Sequence, residues 1–499
     1  MYIAAVLRDN GHTVEIYDAL LDILHPQTKN VDGTVHVGID WETVEHDLKI
    51  KAPDIIGISC LFTTQRPDTL KMSHVSKRAT DALIIVGGSD PSVNFKDILN
   101  TTSSIDIVCR GEGEFTVLAI ANAFLEGLDF MSLPGTVVKL PDGSIQENEV
   151  RPPIENLDSL PFPAYELVNV EHYITLNGRG YGGRPALRYP GSERALSLIT
   201  SRGCPYNCVF CSIHLHMGKK WRPHSSQYIG RHIEYIIKQF AIRHIHFEDD
   251  NLTVDLNRCA AICSHMERLK PSITWDTPNG VRIDRLTREL LLLFKKSGCI
   301  YIILAVESGV QSTLTEIIGK QMDLQCVPQV AHWCREIGID ALSFFIIGFP
   351  GETVETMNET VDYALHLWQR FGISPTVFIA TPLIGTRLYT QCQQHGFLTT
   401  TLSSEALAVS TAKGGSHVLI ETPEFKSRDI DAVMHQFVRG YKRIFILNLV
   451  RFFFFQSPGT TLSSIRFLWH MKTKMSLKEL LLQALTYRYS IARLTQLAR

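Results

Sequence analysis

The chain has no apolar run long enough to span a bilayer: the longest, near Ile444 to Phe455, is broken by Asn448 and Arg451. Eleven cysteines in 499 residues are too few for a disulfide scaffold, and their number is odd. Net charge is also scarce, at −2, which excludes a whole-chain basic footprint for nucleic acid. No secretory signal is visible, because Met1 opens directly into YIAAVLRDNGH, which reads as a short helix. A short-period solenoid repeat is missing too. These absences point to a reducing, cytoplasmic setting in which clustered cysteines mean metal rather than disulfides.

Apolar residues make up 45% and charged residues 20%, normal for a globular protein, and the length calls for two or three domains. The even balance hides an asymmetry, since 441–499 holds ten Lys/Arg and one acid, Glu479.

Residues 1–130 alternate strand and helix patterns, with strands expected at Val14–Tyr17, Ile55–Ser59, Leu83–Val86 and Ile107–Cys109. This βαβ rhythm implies a parallel, helix-covered sheet, although the chain begins on a helix where a first strand is expected. Over 131–194 the texture changes to a hairpin around Asp142-Gly143, a proline-rich linker (RPPIENLDSLPFPAYEL) and a glycine-rich loop (NGRGYGGRP). A second alternation fills 195–400. Its strands are expected at Leu196–Ser201, His244–Glu248, Ile273–Thr277, Tyr301–Val306, Leu342–Ile347 and Thr376–Ala380, the number and spacing of a partial (β/α)6 barrel. Residues 401–499 read as a helical, basic and apolar cap.

The sharpest signal is SRGCPYNCVFC (201–211), which sets Cys204, Cys208 and Cys211 at C-x3-C-x2-C spacing directly after the first barrel strand. Three thiolates on one loop can hold three irons of a cubane and leave the fourth iron open. His214 could instead complete a Cys3His zinc site. The other eight cysteines form no second cluster and read as small buried hydrophobes.

This loop, with Phe210 before its last cysteine, resembles that of the radical S-adenosylmethionine (SAM) enzymes. The resemblance continues through FEDDNLT (247–253), AVESGVQ (305–311), FFIIGFPGET (344–353) and ATPLIGTRLY (380–389). It implies a [4Fe–4S] cluster on the three cysteines, with SAM contacts at Phe210, Glu248, Asp249, Asp250, Glu307, Ser308, Gly348 and Pro350. In the front region, Ser59, Gly87, Gly88, Ser89, Gly111 and Glu112 end strands or open helices. Together with the linker they resemble the Rossmann-like cobalamin-binding domain that precedes the barrel in one large radical SAM subfamily. The D-x-H-x-x-G pattern is absent, so no lower cobalt ligand is assigned.

The resemblance implies reductive SAM cleavage to a 5′-deoxyadenosyl radical and cobalamin-dependent methyl transfer to an unactivated carbon. Two alternatives stand beside it: an oxidative cyclase similar to anaerobic magnesium-protoporphyrin IX monomethyl ester cyclase, and a non-catalytic zinc or iron–sulfur binding protein. No catalytic side chain is assigned beyond the cluster loop. The partners implied are a small, lipophilic molecule and an electron donor such as flavodoxin or ferredoxin, with no nucleic acid. The tail's mix of basic and aromatic residues suits either a peripheral membrane contact or a cap on the barrel.

Overall fold

A computed structural model describes residues 1–20, 28–29, 35–178, 194–411 and 418–454. Its front sheet has five strands in sequential order: β1 (Ile55–Ser59), β2 (Leu83–Gly87), β3 (Ile107–Cys109), β4 (Thr136–Lys139) and β5 (Ile145–Glu147). β1 to β3 run parallel, and β4 and β5 add an antiparallel hairpin. The Asp142-Gly143 hairpin expected in the linker therefore extends the front sheet. Its turn works because Gly143 takes φ +87°.

The strand expected at Val14–Tyr17 does not form. Val14 and Ile16 pack beside Ala4 and Ala5, and the Tyr17 hydroxyl donates to Asp47 at 2.9 Å, but among the described residues no ladder partner lies alongside. Alternation there reports a packed face rather than a strand. The proline-rich linker covers the helix Tyr2–Asp9, setting Ile154, Leu157 and Leu160 against Val6.

The second sheet has six parallel strands, also sequential: β6 (Ala195–Leu198), β7 (His244–Phe247), β8 (Thr274–Val281), β9 (Cys299–Glu307), β10 (Asp340–Ile347) and β11 (Ser374–Ile379). β6 and β11 are not paired with each other, so the barrel is partial. Crossover helices start on side-chain caps: Ser225, Asp255, Thr287 and Thr353 each accept a backbone N–H. Each cap contributes about 1 kcal/mol.

Strand alternation divides the side chains. Ile245, Phe247, Trp275, Leu304, Phe345 and Ile347 enter the core beneath the helices, where Trp275 meets Phe294 edge-on at 4.9 Å. The intervening residues face the barrel interior.

Behind the barrel, the helix Ser427–Phe454 packs on Val354–Phe371, with the Trp368 and Tyr441 rings stacked at 4.1 Å. The described part of the C-terminal region is thus a helical cover. Among the described residues no helix is long and apolar enough to cross a membrane. The glycine-rich loop from residue 179 and the tail from 455 lie outside the described residues.

Candidate cluster and cofactor site

Beyond β6, Ser201–Arg202 pairs antiparallel with Arg222–Pro223, and the cysteine loop springs from this neck. Gly203 is required there. Its φ is +79°, and a Cβ would sit 2.5 Å from the Lys220 carbonyl oxygen.

The loop is tied down across the barrel mouth. Val209 N–H donates to Ile318 O at 2.8 Å, and Leu388 N–H donates to Val209 O at 3.0 Å. Arg387 donates to the Asn207 carbonyl, and the Arg282 guanidinium lies 3.8 Å from the Tyr206 ring centre. Segments that follow β8, β9 and β11 therefore hold one loop.

The three thiols are half-buried, and burial raises the pKa of each, that of Cys211 to about 12. Among the described residues, no three ligand atoms that include a cysteine lie within 4.8 Å of one another. Sulfurs on one zinc ion, each about 2.3 Å from it, would be roughly 4 Å apart. In the conformation present the three sulfurs are not all within 4.8 Å of one another, which suits a cubane, with one iron per thiolate, better than a single ion. His214 is not poised as a fourth ligand, because its Nε2 lies 3.1 Å from the Cys204 carbonyl.

The remaining candidate residues divide into those that face the mouth and those that brace it. Phe210 sits 5.9 Å from Phe349, in the Gly348–Gly351 turn. Glu307 ends β9 at a register break and takes φ +74°, a strained geometry that costs about 1 kcal/mol or more. Lys320 Nζ holds its carboxylate at 2.9 Å and also donates to Ala305 O at 2.5 Å. Glu248 reaches the interior side near Ser197. Asp250 opens toward solvent on one side, while protein surrounds the rest of it. That enclosure, with the neighbouring Asp249 charge, pushes its carboxyl up to about 7.

Asp249 and Ser308, both expected to contact SAM, are tied into hydrogen bonds within the protein. Asp249 is buried and accepts from Thr200 N–H, from Thr200 Oγ1 at 2.7 Å and from Ser201 Oγ at 2.5 Å, locking β7 to the neck. The fully buried Ser308 hydroxyl bonds Thr360 at 3.0 Å and accepts from Val310 N–H. Gly348 and Pro350 are buried in a turn shaped by Glu352, a residue the sequence reading passed over. One Glu352 oxygen accepts from the backbone N–H of Gly348 and of Phe349, each at 2.8 Å. Full burial still pushes its carboxyl up to about 7.

The front sheet presents its C-terminal strand ends to the same region. Gly88 takes φ +124°, and a Cβ there would strike the Cys60 carbonyl at 2.3 Å, so only glycine fits. Gly87 and Ser89 flank it, half-buried. Gly57 and Ser59 are exposed on β1, nothing lies within 4 Å of a Cβ built on Gly57, and Leu61 and Phe62 beyond it are 54% and 63% exposed. This open, partly apolar ledge fits a flat macrocycle such as cobalamin. Gly111 approaches the His216 carbonyl, close behind the cysteine loop, and its N–H donates to Ser92 Oγ at 2.9 Å.

Glu112, expected among the cobalamin contacts, is held by ion pairs within the protein. It is enclosed between the front sheet and the cysteine neck, where its oxygens pair with Arg202 at 2.8 Å and Arg222 at 2.8 Å and accept from Ile154 N–H at 2.6 Å. Glu114 takes the other end of Arg202 at 2.6 Å. These four side chains clamp the front sheet to the base of the cysteine loop. The arginines gave no sequence signal, because each lies about 90 to 110 positions from its acid.

Comparison with known proteins agrees with this layout. The Radical SAM superfamily profile matches residues 198–364, and the B12 binding domain profile matches 1–121. The chain is 28% identical over 428 residues to cytidylyl-2-hydroxyethylphosphonate methyltransferase of Streptomyces wedmorensis, covering 80% of this chain and 78% of that one. It is 24% identical to anaerobic magnesium-protoporphyrin IX monomethyl ester cyclase of Rubrivivax gelatinosus, over 73% of this chain and 60% of that protein. Its fold is similar to that of the radical SAM methyltransferase TsrM of Kitasatospora setae with cobalamin and a [4Fe–4S] cluster bound. The TM-score is 0.63 at 16% identity, and the match covers 89% of this chain and 85% of that one. The two profiles together span more than half of the sequence, which sets aside a non-catalytic binding protein. The chain belongs to the radical SAM enzymes that carry a cobalamin-binding domain ahead of the barrel, whose cofactors are a [4Fe–4S] cluster, SAM and cobalamin.

Proposed function

We propose that this enzyme transfers a methyl group to an unactivated carbon of a small, largely apolar molecule. The observation that carries the reading is the cysteine loop pinned over the barrel mouth and clamped from behind to the open ledge of the front sheet. When bound, the cluster with SAM supplies a 5′-deoxyadenosyl radical and cobalamin supplies the methyl group.

The chain's own residues bind, orient and exclude water. Cys204, Cys208 and Cys211 would hold the cluster, leaving one iron open for SAM. Glu307, fixed by Lys320, offers a carboxylate oxygen beside the loop for a ribose hydroxyl. Phe210 and Phe349 provide an apolar wall, and Glu248 and Asp250 provide polar groups near the mouth. Gly57, Ser59 and the Gly87–Ser89 turn would take the cobalamin face. On the interior face, Ile199 and Phe378 are 50% and 46% exposed, and Phe378 meets Phe344 edge-on at 5.3 Å. Exposed apolar side chains inside a barrel favour a lipophilic substrate. Eleven unpaired thiols suit a reducing, cytoplasmic compartment, and the electrons would come from a flavodoxin or ferredoxin.

The similarity to a cyclase supports oxidative cyclisation as a second reading. The test incubates the reconstituted enzyme anaerobically with SAM and reductant, with and without hydroxocobalamin, and measures S-adenosylhomocysteine. Methyl transfer predicts that this product depends on added hydroxocobalamin. 5′-Deoxyadenosine formed with no S-adenosylhomocysteine at all would overturn methyl transfer in favour of cyclisation.

A further inference from the structure

We propose that His244, His246 and Asp276 form a binding site for a divalent metal ion of the zinc type, on the interior floor of the barrel and separate from the cysteine loop. The inference does not depend on the methyl-transfer reading.

Strand geometry builds the site. Ile245 and Phe247 turn into the core beneath the helices, so His244 and His246 project together to the opposite, interior face of β7. Trp275 likewise faces the helices and sends Thr274 and Asp276 inward. The parallel register then sets His244 beside Thr274 and His246 beside Asp276.

The three ligand groups converge. His246 Nδ1 lies 2.7 Å from one Asp276 oxygen, and His244 Nε2 lies 3.2 Å from the other. All three ligand atoms lie within 4.8 Å of one another. Ligands held about 2.0–2.2 Å from a zinc ion sit roughly 3 to 3.5 Å apart, so small side-chain rotations would admit the ion. The second nitrogen of His244, Nδ1, meets Thr274 Oγ1 at 2.8 Å. Thr274 Oγ1 itself donates to Arg243 O at 3.4 Å, so it can accept from Nδ1–H and leave Nε2 to bind, the outer-shell support typical of ligating histidines.

Charge favours the same reading. Asp276 and His244 are almost fully buried, with side-chain exposures of 3% and 1%, and among the described residues neither Lys nor Arg pairs with Asp276. The buried Asp276 carboxylate has the two imidazoles against its oxygens. A divalent cation would neutralise it. Two imidazoles and one carboxylate suit zinc and leave a coordination position for water or a substrate heteroatom. His246, at 16% exposure, is the most accessible of the three and marks the side from which the ion would enter.

The experiment uses the full-length chain with Cys204, Cys208 and Cys211 replaced by Ala, so that no cluster thiolate competes, and titrates it with Co2+ as a spectroscopic probe. One Co2+ should bind per chain, with a visible spectrum free of thiolate-to-metal charge transfer. His246→Ala and Asp276→Asn should abolish binding, and Thr274→Val should weaken it about ten- to a hundredfold. Cobalt-edge X-ray absorption of the loaded chain should show nitrogen and oxygen neighbours and no sulfur, a readout that needs no further variant to fold. Absence of stoichiometric binding, sulfur in the first shell, or binding unchanged in Asp276→Asn would overturn the proposal and leave a hydrogen-bonded His–Asp–His cluster.

Discussion

The front sheet and the barrel are built from the same βα grammar, yet they use their strand ends differently. In the barrel, the ends of β7 to β11 converge on one loop, and the side chains at the mouth are held in pairs: Glu307 by Lys320, Phe210 against Phe349. In the front sheet, β1 leaves Gly57 and Ser59 bare, and the acid after β3, Glu112, turns away to meet two arginines of the barrel. One region concentrates side-chain chemistry, and the other offers backbone, open space and a clamp. Two acids that look alike in sequence, each beside a glycine or serine near a strand end, thus meet different partners: Glu307 a lysine of the barrel, Glu112 two arginines from across the seam.

The comparison breaks most visibly at the clamp. Glu112→Ala leaves Arg202 and Arg222 buried without their shared partner, which should cost about 3–5 kcal/mol. Denaturant unfolding should show the loss, and hydroxocobalamin retention should fall with it. If Glu112 instead touched cobalamin directly, retention would fall with stability unchanged. Next comes Glu307→Gln, which removes a charged acceptor at the mouth. We expect a loss of about 1.5–3 kcal/mol in SAM binding, roughly ten- to a hundredfold in KM, with kcat less affected.

Third is a pH effect in the barrel alone. The Glu352 carboxyl is raised from 4.5 to about 7, so the folded state binds more protons than the unfolded state between those values. Stability from this site is therefore present at low pH and falls as pH rises from about 4.5 to about 7, by roughly 1–3 kcal/mol. Glu352→Gln should flatten that slope in thermal melts taken across the range. The smallest effect belongs to Cys326, the one half-buried thiol outside the loop: Cys326→Ser should shift stability by about 0.5 kcal/mol or less and leave iron content unchanged.

Much of this architecture was legible in the sequence because hydrophobic period and turn chemistry are local. All six barrel strands form close to their expected positions, and Ile55–Ser59 and Ile107–Cys109 form as read. Val14–Tyr17 misled because alternation shows that one face is packed but not whether another strand supplies hydrogen bonds. Asp249, Ser308 and Glu112 each neighbour a motif, which is why the sequence marks them as ligand contacts. Whether such an oxygen faces a cofactor or a distant Thr, Ser or Arg depends on tertiary placement that spacing does not encode. His246 and Asp276 were passed over for the same reason: 30 positions separate them, and only the parallel register of β7 and β8 brings them together.

The most direct test of the account is 5′-deoxyadenosine release. The enzyme is reconstituted anaerobically with iron and sulfide, given dithionite and SAM, and compared with the Cys204/Cys208/Cys211→Ala variant by mass spectrometry. The native chain should release 5′-deoxyadenosine, and the variant none above background. Release that is equal in both, or absent in both despite a fully assembled cluster in the native chain, would contradict it.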